Sequence, residues 1–210
     1  MRLYLARHGQ TDWNAAQIAQ GQTDIPLNSV GRDQAHALAQ AFEGVRLDRI
    51  VSSDLIRASE TARAVGDILG LSVELDSRLR ERSFGEWEGR PYHDFHVSMR
   101  ERAETDGTAY EHTRPPSGES LSDVADRVSE LADEVIARGG ATLLVSHGGA
   151  LSMLLGRLLG GDVRFGRAFR FENAGIAELH RRPEGDFTLV RLNAAHLIHD
   201  RSAIPHGPSR

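Results

Sequence analysis

The chain contains no cysteine and no lysine; all 25 of its Lys-plus-Arg residues are arginine. Without thiols there is no disulfide, no thiolate metal site and no cysteine nucleophile. Without lysine there is no P-loop lysine, no Schiff base and no kinase-type phosphate lysine. No apolar run approaches the roughly 18 residues of a membrane span, and MRLYLARHG turns polar too early for a secretory leader. A cytoplasmic protein without a membrane partner is expected. With 25 basic against 30 acidic side chains, a formal charge of −5, the chain lacks the positive excess of a nucleic-acid binder, and no such partner is expected. Whatever it does with anions falls to arginine, histidine and backbone amides.

What is present reads as a globular enzyme-sized unit. At 210 residues, 40% hydrophobic and 26% charged, the fold should bury about 70% of the surface its unfolded chain exposes, enough core without staples. Neither repeats nor linkers interrupt the chain before its last dozen residues, so one domain over 1–197 and a tail over 198–210 are expected. RLYLA (Arg2 to Ala6), LDRIVSS (Leu47 to Ser53), LSVEL (Leu71 to Leu75) and ATLLVS (Ala141 to Ser146) read as strands. GIAELHRR (Gly175 to Arg182) and DFTLVRLN (Asp186 to Asn193) read as a hairpin. Helical patterns run from about Asp33 to Phe42, from an Asp54 N-cap to Leu69 with Gly70 as its stop, from Ser120 to Ala137, and from Ala150 to Leu159. Residues 76–118 look irregular, broken by Pro91, Pro115 and Pro116. This alternation predicts an α/β fold, a three-layer α/β/α sandwich around a mostly parallel sheet.

Two distant segments share one local design. LYLARHG places His8 just past a strand and before Gly9; TLLVSHG places His147 just past a strand and before Gly148. Ligands of open α/β sheets bind outside the carboxyl ends of strands, so parallel neighbours would face both histidines into one pocket, with glycines letting backbone approach a ligand. Arg7 adjoins His8, and Arg57 lies in the first turn of the helix after IVSS. Two guanidiniums, two imidazoles and a helix N-terminus describe a site for a dianionic phosphate group.

LARHGQTDWN (Leu5 to Asn14) resembles the signature of the histidine phosphatase superfamily, the phosphoglycerate mutase-like proteins. GQTDIPLNSVGRDQA (Gly21 to Ala35), SSDLIRASETA (Ser52 to Ala62), LRERSFGEWEG (Leu79 to Gly89), PSGES (Pro116 to Ser120), VSHGG (Val145 to Gly149) and LNAAHL (Leu192 to Leu197) follow in that family's order. The resemblance implies that His8 is the nucleophile that becomes phosphohistidine. It implies that Arg7, Arg57 and His147 hold the phosphoryl oxygens and that Glu81 is the proton donor and acceptor. Asn14, Gln20, Gly21, Arg82 and Gly148 would line the substrate mouth. No metal and no cofactor are implied; the partner is a small phosphorylated metabolite, and a homodimer is left open.

The chemistry asks for the same parts. A histidine nucleophile needs one neutral nitrogen aimed in line and the other donating to a fixed acceptor, expected here to be a backbone carbonyl near Gly9. Three equatorial oxygens need preset donors. One carboxyl group can protonate the leaving oxygen and then activate water if its pKa lies above the usual value; Glu81 is the candidate, with Glu86 and Glu88 expected on a solvated surface.

Phosphatase and mutase share the first half-reaction. The family's mutases usually carry Glu-Ser, Trp and Ala-His-Gly-Asn where this chain has Gln10-Thr11, Gln22 and Ser146 to Gly149, which favours a phosphatase. Arg82, inside Glu81-Arg82-Ser83-Phe84-Gly85, keeps a mutase-type grip on a carboxylate in play, although Phe84 lacks the hydroxyl. A pseudoenzyme that only binds phosphorylated partners would have lost one of the five central residues. Residues 90–118 are expected to form a substrate-facing lip, with Tyr92, His93, His96, Arg100, Arg102, Tyr110, His112 and Arg114 as contacts, or else a solvated helix with pairs such as Arg100 and Glu104. His196, His199 and Asp200 have metal-ligand composition but sit at the chain's end.

Overall fold

Four consecutive residues of RLYLAR, Leu3 to Ala6, are buried, as a strand covered on both faces requires. In the computed structural model, which describes residues 1–194, this stretch is β1 (Arg2–Arg7). It leads through a short α1 (Asp12–Ala15) to α2 (Ser29–Ala41), β2 (Arg49–Ser52), α3 (Ile56–Leu69) and β3 (Val73–Leu75). Then follow α4 (Tyr92–Asp106), α5 (Leu121–Arg138), β4 (Ala141–Ser146), α6 (Gly148–Leu158), a short α7 (Val163–Gly166), β5 (Ile176–Arg181) and β6 (Phe187–Ala194). His196, His199, Asp200 and the 198–210 tail lie outside the described residues.

The six strands form one sheet in the order β3-β2-β4-β1-β5-β6. β1 to β4 run parallel, and the β5–β6 hairpin joins the edge of β1 antiparallel. Side chains alternate between two cores, as a period of two demands. Leu3, Leu5, Val51 and Leu144 pack with α5 and α6 residues such as Val128 and Leu151. Tyr4, Ala6, Ile50, Leu143 and Val145 pack with Leu38 and Phe42 of the α2 side and Ala58 and Val65 of α3. This is the three-layer α/β/α sandwich, with four of six strands parallel. Truncating a fully buried Leu144 (0% exposed) to Ala should cost about 2–5 kcal/mol.

β1 and β4 are neighbours with Arg7 opposite Ser146. The chain leaves β1 toward α2 on one face and leaves β4 into α6 on the other. Such a switch point opens a crevice beyond the strand ends, and both strand-end histidines stand there.

Helix boundaries depart from the sequence pattern where tertiary partners supply the caps. α2 begins at Ser29, four residues before Asp33, because the Asn28 side chain accepts from the Gly31 N–H. Asp54 is not the N-cap of α3: Leu55 holds that position, Asp54 pairs with Arg80 at 2.5 Å, and Asp24 accepts from the Ile56 N–H at 2.7 Å. The stretch expected to be irregular contains a fifteen-residue helix, α4, buried along Phe95, Met99 and Ala103. α6 starts at Gly148 rather than Ala150. Among the described residues, no helix is long and apolar enough to cross a membrane.

Candidate active site

The backbone N–H of His8 donates to the Ser146 carbonyl at 3.0 Å, tying the two strand ends together. The ring Nδ1 lies 2.6 Å from the Gly9 carbonyl. A carbonyl only accepts, so Nδ1 carries the proton and Nε2 presents its lone pair. Burial, with the Arg7 and Arg57 charges beside it, holds His8 well below the usual imidazole range, which keeps the ring neutral. A Cβ on Gly9 would come within 2.3 Å of the Gly31 carbonyl. That glycine therefore serves backbone packing against the start of α2, not the approach of a ligand.

His147 is fully buried at the N-cap of α6, its ring centroid 5.0 Å from that of His8. Arg57 Nε donates to its Nδ1 at 3.2 Å. A guanidinium cannot accept, so His147 carries its proton on Nε2, which meets Ser53 Oγ at 2.9 Å. Burial first, then the Arg57 charge, pushes this ring well below its ordinary pKa too. The two imidazoles are thus both neutral and hold opposite tautomers.

Arg57 is 1% exposed and also donates to the Thr23 carbonyl at 2.9 Å and the Gly21 carbonyl at 2.7 Å. Gly21 presents that carbonyl from a left-handed turn, φ +53°, where glycine carries no Cβ penalty. Burial lowers Arg57 to about 10, leaving it charged at neutral pH. Arg7 donates through Nη1 to the Phe171 carbonyl at 2.8 Å. Its Nε is buried, has no hydrogen-bond partner among the described residues and lies beside Gly148. An unmet buried donor costs about 1–3 kcal/mol.

Glu81 reaches the same crevice from the loop before α4. Its carboxylate accepts from the N–H groups of Gly149 at 3.0 Å, Ala150 at 3.2 Å and Arg82 at 2.9 Å. It therefore caps α6, the helix that His147 opens, and its charge acts on both Arg7 and Arg57. The five residues singled out from the sequence converge on one crevice. Among the described residues, no group of three or more His, Asp or Glu side chains is arranged to hold a metal ion.

The expected mouth residues divide. Asn14 Oδ1 accepts from the Thr11 N–H and from Asn173, whose amide also donates to the His8 carbonyl at 3.2 Å. Gln20 accepts from Thr11 Oγ1 at 2.9 Å. These side chains hold the loop beside His8. Arg82 is buried, with Nε on the Glu119 carbonyl at 2.6 Å and Nη2 on the Thr113 carbonyl at 3.1 Å. Its guanidinium braces the chain and lies over Phe95, and Phe84 is packed against Phe95 and Tyr92. Glu88 is not a solvated bystander: it accepts from the N–H groups of Gln22, Thr23 and Phe84 and from Thr23 Oγ1, clamping the Gly21 turn. Glu86 is exposed.

The lip also divides. Tyr92 is 42% exposed, yet its hydroxyl is pushed up to about 12, by burial and then by the Glu81 carboxylate; it faces the crevice. Arg102, His112 and Arg114 line another surface cavity of about 340 Å³ that none of the five central residues borders. The pair on α4 is Arg102 with Asp106, not Arg100 with Glu104. Ser53, Thr61 and Asn173 escaped the sequence reading. Thr61 Oγ1 receives the Gly9 N–H and donates to the Arg57 carbonyl. Ser53 and Thr61 lie inside SSDLIRASETA and had a signal in their nearness to Arg57; Asn173 had none.

The histidine phosphatase superfamily (branch 1) matches residues 3–195. A protein of Yersinia pestis named a probable phosphoglycerate mutase is 37% identical over 181 residues, 85% of this chain and 84% of that one. The structure of a mycobacterial glucosyl-3-phosphoglycerate phosphatase superposes with a TM-score of 0.81 at 32% identity, covering 92% of this chain and 99% of that one. An α-ribazole phosphatase from Shigella flexneri gives 0.84 at 30% identity, covering 95% and 100%.

Proposed function

The chain belongs to the histidine phosphatase superfamily, and on that footing we propose that it hydrolyses phosphomonoesters of small metabolites through a phosphohistidine on His8. His8 Nε2 attacks phosphorus in line while the P–O bond to the leaving group breaks. Arg7 through its Nε–H, the second N–H groups of the Arg57 Nη atoms, and the His147 Nε2–H as it exchanges Ser53 Oγ for a phosphoryl oxygen take up the charge on the three equatorial oxygens. Glu81, entering this step as the carboxylic acid, gives its proton to the leaving oxygen and becomes the carboxylate. It then takes a proton from water, whose hydroxide displaces His8 and releases inorganic phosphate. The step calls on no metal or organic cofactor. In this reading residues 1–197 act as one catalytic domain in the cytoplasm, with 90–118 as the substrate-side lip.

The observation that carries the reading is the His8 tautomer: Nδ1 bound to the Gly9 carbonyl at 2.6 Å leaves Nε2 neutral and unprotonated. Two of the related structures are phosphatases by name. A mutase reading draws on the Yersinia relative's name, but Arg82, the residue that would grip a carboxylate, is bound to the Glu119 and Thr113 carbonyls. The test is phosphate release from a panel of phosphosugars, phosphoglycerate derivatives and nucleotide-pathway phosphates in excess chelator, beside a phosphoglycerate isomerisation assay. Hydrolysis that survives chelation is expected. Isomerisation outpacing release would replace the reading with a mutase, and activity restored only by added metal would contradict it.

A further inference from the structure

Arg127 lies on α5 and touches none of the five central residues' side chains, yet it binds the backbone that carries Glu81. Its Nη1 donates to the carbonyls of Arg78 and Arg80, both at 2.7 Å, and its Nη2 to the carbonyl of Glu81 at 2.9 Å. The same guanidinium holds Glu119 through both oxygens, Nε at 2.9 Å and Nη2 at 3.0 Å. Glu119 in turn accepts from the Ser83 N–H at 2.9 Å and from Gln22 Nε2, which also reaches the Glu81 carbonyl at 3.1 Å. The chain is therefore held at Arg78, Arg80, Glu81 and Ser83 by one planar group and its carboxylate. Burial pushes Glu119 up, but its hydrogen bonds to Arg127 and Ser83 outweigh this and keep it below the usual range, so the pair stays ionised.

The anchor is rigid. α5 presents Val124, Val128, Leu131 and Val135 to the main core, so Arg127 moves only with that layer. From the start of α6 the N–H groups of Gly149 and Ala150 hold the Glu81 carboxylate itself. Backbone and carboxylate are thus fixed by two different helices. We propose that Arg127 is a positioning residue for proton transfer, fixing the Glu81 backbone so that the carboxyl group stays aimed at the leaving oxygen. The inference rests on the acid role of Glu81. A guanidinium is required because only its planar fork of donors reaches three carbonyls and a carboxylate together.

The test is kcat/KM over a series of phosphomonoesters from aryl to alkyl leaving groups, in wild type, Glu81→Gln, Arg127→Ala, Arg127→Lys and the Glu81→Gln/Arg127→Ala double variant. Misplacing the acid should slow alkyl substrates about 10- to 100-fold more than aryl ones, since aryl leaving groups need little protonation. Arg127→Ala and Arg127→Lys should both show this steepened dependence, and the double variant should be no slower than Glu81→Gln alone. Equal slowing of all substrates by Arg127→Ala, or losses that multiply in the double variant, would make Arg127 a general strut and overturn the proposal. Full activity in Arg127→Lys would overturn it as well. Glu119→Gln keeps the side chain's size and carries the same test if Arg127→Ala does not fold; it should steepen the dependence in the same direction, and a flat dependence there counts against the proposal. A flat dependence in Glu81→Gln itself would fail the acid role first, which separates that failure from a failure at Arg127 alone.

Discussion

β1 and β4 end alike, each an apolar strand followed by histidine and glycine, and the two rings stand 5.0 Å apart in one crevice, but their nitrogens are bound differently. His8 gives one nitrogen to a carbonyl and keeps the other bare. His147 has both nitrogens engaged, one receiving Arg57 and one meeting Ser53. Strand-end placement supplies the slot; under the proposed mechanism, the partner of the second nitrogen decides whether the ring attacks or donates. Burial keeps both neutral, so the difference lies in where the single proton sits and not in charge.

The asymmetry sets the order of expected losses. His8→Ala should lower phosphomonoesterase activity by on the order of 10⁴-fold or more, because no other group present replaces the nucleophile; steady-state turnover measures it. His147→Asn removes one oxyanion donor and should cost about 10²–10³-fold, with a covalent intermediate still formed in rapid-quench experiments. Loss of that intermediate in His147→Asn, with retention in His8→Ala, would reverse the two assignments. Ser53→Ala should cost up to roughly tenfold, the worth of one hydrogen bond that holds the His147 ring.

The pH dependence of stability sharpens the same point. An imidazole with a depressed folded-state pKa stays neutral in the fold while the unfolded chain takes up a proton below about 6.5, so stability falls with falling pH. His8 and His147 are held well below their usual value, and His96, lowered by burial and then by Arg82, to about 4. The melting temperature should therefore decline from about pH 6.5 toward 4, a window in which Asp54, Asp76 and Asp123, held low by Arg80, Arg78 and Arg114, still contribute. His96→Gln should flatten part of that decline in thermal melts at several pH values.

The central strands and the five converging residues were legible because their signals are local: four apolar residues, then Arg7-His8-Gly9, or Arg57 one residue into a helix. The Nδ1 contact of His8 with Gly9 followed from what a nucleophilic imidazole needs. What escaped depends on distant partners. Asp54 looks like an N-cap until Arg80 draws it away. Glu88 looks solvated until the turn at Gly21 folds over it. Arg82 looks like a ligand for substrate until the 113–119 stretch packs its carbonyls against it. α4 is hard to read from the sequence because its buried stripe, Phe95, Met99 and Ala103, is narrow and most of the remaining side chains are polar or charged.

The most direct test of the account is to quench the enzyme in base during turnover of a radiolabelled phosphomonoester and map the labelled residue and ring nitrogen. The predicted product is His8 phosphorylated on Nε2. Label on His147, on the Nδ1 of His8, or on neither histidine would contradict the assignment.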